Sequence, residues 1–205
     1  MDDLMLHVLD IAINSVAAQA HAVRVRVEED RAEDRLVIRI ADDGLGMGPD
    51  MITATQRNFA TSKLGRARPI GLGLALLKHT AEMCNGVLAV ISRPGKGALV
   101  DARMQYSHID RPPLGDCVST IFDLVVGNPH VGFRFTHCTD QSSYSFDSRT
   151  VKRLLGEARL LQQPDVLRWI RHELERGERL LAGESAPVAW PSVRAAVKGE
   201  RYGSG

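Results

Sequence analysis

The chain has 205 residues, 44% of them hydrophobic and 25% charged, an ordinary globular composition with room for one sizeable core and a smaller unit. Its 26 Lys+Arg stand against 25 Asp+Glu, a formal charge of +1, so no global field recruits nucleic acid or anionic lipid, and neither is expected as a partner. Cys84, Cys117 and Cys138 are too scattered for a disulfide framework or a zinc knuckle; no apolar run reaches the ~20 residues of a membrane span, and the acidic Asp2-Asp3 is unlike a signal peptide, so a cytoplasmic protein is expected.

In chain order, Leu6, Leu9, Ile13, Val16 and Ala20 follow the 3/4 spacing of an amphipathic helix and are read as its buried stripe. Val23, Val25 and Val27 then alternate with Arg24, Arg26 and Glu28, a half-buried strand joined through Glu29 to Asp34 to a second strand over Leu36 to Ile40. Pro49-Asp50 suits a short helix start, and the basic, aperiodic stretch from Asn58 to Pro69 is read as a lid loop. Leu72 to Cys84 is helical and stops at Asn85-Gly86, before strands Val87 to Ser92 and Ala98 to Met104.

The first 105 residues are taken as one domain and residues 106–116, with Pro112 and Pro113, as a stiff linker. Residues 117–182 are expected to form a small α/β interaction unit. It comprises a helix capped by Asp116, strands over Val131 to Thr136 and Ser142 to Phe146, and helices over Thr150 to Gln162 and Asp165 to Leu181. Residues 183–205 are read as a flexible tail.

Three clusters carry chemistry. Asp10 and Asn14 lie one turn apart on the first helix, beside its apolar stripe, where oxygen ligands can hold magnesium directly or through water. Asp42-Asp43-Gly44-Leu45-Gly46-Met47 follows a strand directly, so an acid can accept the exocyclic amine of adenine while glycines permit close approach. Gly71-Leu72-Gly73-Leu74 opens a helix whose free amides attract phosphate.

In this order, within about 80 residues, these features resemble the GHKL superfamily: the histidine kinase, gyrase, chaperone and mismatch-repair ATPases. The resemblance covers residues 1 to about 105 and implies the Bergerat fold, an α/β two-layer sandwich with a mixed sheet, and ATP and Mg2+ as cofactors. It assigns magnesium to Asn14, adenine to Asp42, the first glycine box to Gly44, Gly46 and the adjoining Met47, and the second to Gly71 and Gly73 with Leu72 and Leu74. Phe59, Thr61, Ser62 and Lys63 match its lid region, which approaches the terminal phosphates. Hydrolytic members place a glutamate where Asp10 stands; a shorter side chain there argues against fast hydrolysis.

His108-Ile109-Asp110-Arg111-Pro112-Pro113-Leu114 is similar to the phospho-acceptor string of histidine kinases, making His108 a candidate acceptor, although it follows the ATP domain where kinases place it ahead. His7 is read as a surface neighbour of the pocket. A metal site from His137, Cys138, Cys117 and His130 is disfavoured, because strand neighbours point to opposite faces. The segment from Ser107 is similar to stand-alone ATP-binding proteins encoded near iron hydrogenase and NADH-linked redox subunits. The expected function is ATP-dependent regulation or signalling through a protein partner. The alternatives are an active protein kinase or a slow ATPase.

Overall fold

The computed structural model of the chain describes residues 3–52, 72–156 and 158–184. The lid loop, Gly71 and the tail beyond residue 184 lie outside them. The elements run α1 (Leu4–Ala17), β1 (Ala22–Asp30), β2 (Arg35–Asp42), α2 (Leu72–Met83), β3 (Val87–Ser92), β4 (Ala98–Gln105), α3 (Cys117–Gly127), β5 (Gly132–Thr139), β6 (Ser143–Asp147), α4 (Ser148–Leu155), a 3-10 turn (Ala158–Gln162) and α5 (Pro164–Leu181). Residues 49–52 are also helical.

The six strands form one sheet in the order β3-β4-β2-β1-β5-β6. β1 pairs antiparallel with β2 and parallel with β5, so the sheet is mixed. Alternation in β1 sends Val23, Val25 and Val27 into the core and leaves Arg24 and Arg26 exposed, as a strand with one covered face requires. Facing them are the helices, whose buried residues join the strands in a single apolar cluster. On the open face Arg39 bridges Glu28 at 2.9 Å and Asp101 at 3.0 Å. Paired with acids in this way, the arginines form a solvated surface worth little in stability.

Three expectations are corrected. The buried stripe of α1 is Leu4, Met5, His7, Val8, Ile11, Ala12 and Ser15, while Leu6 and Ile13 are 47% and 42% exposed. The helix is apolar nearly all round, so two stripes satisfy helical spacing and only the sheet decides between them. The helix expected over Thr150 to Gln162 begins at Ser148, where Asp147 caps it, and ends at Gly156 (φ 80°). The third correction concerns the strands after residue 117, which form no sheet of their own: β5 continues the N-terminal sheet beside β1.

The proline connector is clipped to the start of α1. Leu4 N–H donates to Pro113 O at 3.1 Å and Met5 N–H to Leu114 O at 2.9 Å. The Asp3 side chain accepts from Leu6 N at 2.9 Å. Three of the four amides that a helix start leaves unpaired are thereby satisfied, two of them by the linker.

The buried His137 of β5 stands between Glu29 of β1 and Glu178 of α5, at 2.9 and 3.1 Å. Burial alone would drive this imidazole neutral, but the two carboxylates outweigh it and raise its pKa to about 9.

Candidate functional site

At the end of β2, Asp42 is held by three donors. Ser15 Oγ on α1 donates to Oδ2 at 2.8 Å, and Oδ1 accepts from Gly44 N at 2.9 Å and Ala98 N at 3.2 Å. A carboxylate offers about four acceptor positions. Among the described residues one therefore stays open, on Oδ2, which is the requirement for receiving an exocyclic amine. Ser15 was not singled out by the sequence reading; a serine within the true buried stripe of α1 is the signal that would have found it.

The loop after Asp42 is fixed by its backbone. Asp43 Oδ1 accepts from His21 N and Ala22 N, both at 2.8 Å. Burial works against charge on Asp43, but the amides of Ala22 and His21 outweigh it and hold the carboxyl below its ordinary range. Leu45 N–H donates to Ala18 O at 2.9 Å, and Gly95 N–H to Leu45 O at 2.7 Å. Met47 N–H donates to Ser92 Oγ at 2.8 Å, and that hydroxyl donates to Gly97 O at 2.7 Å.

The glycines here are demanded first by backbone packing. A Cβ on Gly44 would stand 2.6 Å from Ala18 O, and one on Gly46 (φ +66°) would stand 2.0 Å from Arg93 O. The result is a floor of main chain packed against the end of α1 and the β3–β4 turn.

Opposite this floor, α2 begins beside the middle of α1. Asp10 Oδ2 accepts from Gly73 N at 2.7 Å, and a Cβ on Gly73 would be 2.5 Å from that same oxygen. Asp10 is thus a cap on the first turn of α2, a carboxylate at the positive end of a helix dipole. Asn14, one turn on, is half-buried on the same side of α1. Leu72 is 51% exposed whereas Leu74 is buried, so of this pair only Leu72 faces outward. Phe59, Thr61, Ser62, Lys63 and Gly71 lie outside the described residues.

His108 is not brought to this cluster. Gln105 at the end of β4 pairs with Arg35 at the start of β2, whereas Asp42 ends the eight-residue β2. At ~3.4 Å per residue the two ends are roughly 24 Å apart, and His108 lies beyond the far one. Its Nδ1 accepts from Asp110 N at 3.2 Å. His7 is buried in the core face of α1, which corrects its reading as a surface residue.

The family of histidine kinase-, DNA gyrase B- and HSP90-like ATPases matches residues 1–108. The chain belongs to this family. Among curated GHKL relatives, the sensor histidine kinase ZraS of Salmonella typhimurium is 32% identical over 99 residues, 48% of this chain and 21% of that protein. A Rickettsia typhi protein named for its likeness to NtrY sensor histidine kinases is 28% identical over 109 residues, 53% of this chain and 18% of its own length. The matched region therefore spans about a fifth of each relative. Among solved structures, the Aquifex aeolicus MutL ATPase domain complexed with ADP aligns at a TM-score of 0.43 with 16% identity, over 92% of this chain and 100% of that one.

Proposed function

We propose that this GHKL chain binds ATP with magnesium between the Asp42 floor and the start of α2, and that the bound state alters its contacts with a protein partner, with little turnover. The open acceptor position on Asp42 receives the adenine amine. Asn14 offers its carbonyl oxygen to magnesium, which would offset the charge of the phosphates. Asp10 carries the argument against fast hydrolysis: its side chain, held against α2 by the Gly73 amide at 2.7 Å, is one methylene shorter than the glutamate of hydrolytic members and reaches less far toward a water from which a general base would take a proton. The distance from Asp42 to His108 argues likewise against phosphate transfer to that histidine within one chain.

A protein partner is supported by exposed apolar residues beside the site. Leu6 and Ile13 flank Asp10 by one turn on α1, and Leu72 and Leu76 flank Gly73 on α2; all four are exposed. Calorimetry should find one ATP per chain in the presence of magnesium, with phosphate release that hardly changes in Asp10→Asn. Multiple turnover lost on that substitution would instead make the chain a hydrolase.

A further inference from the structure

Besides the nucleotide cleft, the fold gathers a second group of chemically active side chains from residues far apart in sequence. Cys117 opens α3, His137 stands on the core face of β5, and Glu178 lies on α5; one ligand atom from each falls within 4.8 Å of the others. Strand alternation sends Cys138 to the opposite face, as the sequence suggests, yet it has no bearing on Cys117, which approaches from the helix layer.

Two features aim these atoms at a common point. His137 Nε2 is engaged by Glu29 Oε1 at 2.9 Å, so Nδ1 is the nitrogen directed at Glu178. A carboxylate behind one ring nitrogen is the arrangement that fixes the tautomer and orientation of a metal-binding histidine. Glu178 is oriented in its turn by the Tyr144 hydroxyl, which donates to Oε1 at 2.6 Å. The close approach that makes this possible depends on Gly177, where a Cβ would stand 2.2 Å from the Tyr144 ring.

From this geometry we infer that Cys117, His137 and Glu178 bind a divalent ion of the zinc class, which fastens α5 to the sheet. Sulfur, imidazole nitrogen and carboxylate oxygen together suit zinc and disfavour magnesium or calcium, which take oxygen. Tetrahedral ligands at ~2.0–2.3 Å from zinc lie roughly 3.3–3.8 Å apart, so side-chain adjustments of about 1 Å close the site. Three protein ligands leave the fourth tetrahedral position to a water, and with Cys117 and His137 only 4% and 3% exposed a substrate has little access to it. The ion displaces the thiol proton and the proton on Nδ1 while Glu29 keeps its hold on Nε2.

Cobalt reports on this site directly, because thiolate ligation gives a near-ultraviolet charge-transfer band and tetrahedral geometry gives strong visible bands. The full chain, stripped with a chelator and dialysed without nucleotide, should bind about one Co2+ with both features, and one equivalent of Zn2+ should abolish them. Cys117→Ser should lose the charge-transfer band and bind cobalt at least about tenfold more weakly. Should that variant fail to fold, the double variant Cys84→Ser/Cys138→Ser leaves Cys117 as the sole thiol, and a retained band assigns it. Absence of the band from the wild-type chain, or from the double variant, overturns the inference and leaves His137 as a proton-bearing bridge between Glu29 and Glu178.

Discussion

Replacing Asp42 by asparagine separates recognition of the base from maintenance of the fold. Both backbone donors, Gly44 N and Ala98 N, address Oδ1, so the amide oxygen of asparagine takes that position and keeps both bonds. The amino group then stands where Oδ2 was, facing Ser15 Oγ. That hydroxyl can turn to accept from it and donate to Ile11 O, which already lies at 3.3 Å. Flipping the amide is disfavoured, since it would set an amino group against two N–H donors and leave both unsatisfied, at ~1–3 kcal/mol each. The fold should therefore lose no more than about 1 kcal/mol. The adenine amine, however, would meet a donor in place of an acceptor, a mismatch costing ~1–3 kcal/mol, or roughly 5- to 150-fold in Kd. Guanine presents an oxygen at the same position, so discrimination between ATP and GTP should narrow as ATP weakens. Calorimetry with both nucleotides, beside a urea melt, measures each effect. An ATP Kd within about twofold of wild type, with the melt unchanged, refutes the assignment of Asp42 to the base.

Asn14→Ala should weaken ATP in magnesium buffer and leave it unchanged in EDTA; an equal loss in both removes the magnesium role. Gly46→Ala forces an L side chain into φ +66° with its Cβ 2.0 Å from Arg93 O, so it should destabilise by about 2 kcal/mol or more in a urea melt. Asp116→Ala removes the α3 cap, whose carboxylate accepts from Ser119 N at 2.9 Å, and should cost about 1 kcal/mol at neutral pH. Bonds from the Ser119 hydroxyl and amide lower the Asp116 pKa in the folded state. Its contribution is thus present above the unfolded value of ~3.9 and lost as pH falls through the folded one. The stability difference between wild type and variant should shrink over that acid range, as melts at successive pH values will show.

What could be read in advance was local. The run from Asp42 to Met47 sits on the turn its composition demands, and the strand over residues 22–30 shows the alternation its valines and arginines announce. Interactions across long sequence separations were not legible. Val23 pairs with Phe133, 110 positions on, and nothing in either segment specifies a parallel partner. The face of α1 was misjudged for a related reason: its composition supplies apolar residues on both sides, and the sheet alone selects one. Cys117 is weighed beside His137 in the sequence and set aside, and Glu178 escapes altogether, because a site assembled from three elements has no spacing to recognise. The Asp10 to Gly73 bond was hidden likewise, since a helix cap is normally sought within a few residues of the helix it serves.

The clip between the connector and α1 bears on how this protein can be divided. Residue 108, where the family match ends, looks like a natural place to stop a shorter version. Cutting there would release two of the amides at the start of α1 and strip β5 from β1, exposing a long row of unpaired main-chain groups and the apolar side of the sheet. Such a fragment should aggregate and lose nucleotide affinity while retaining every pocket residue named above, because the helix that carries Asp10, Asn14 and Ser15 is anchored by what comes after it.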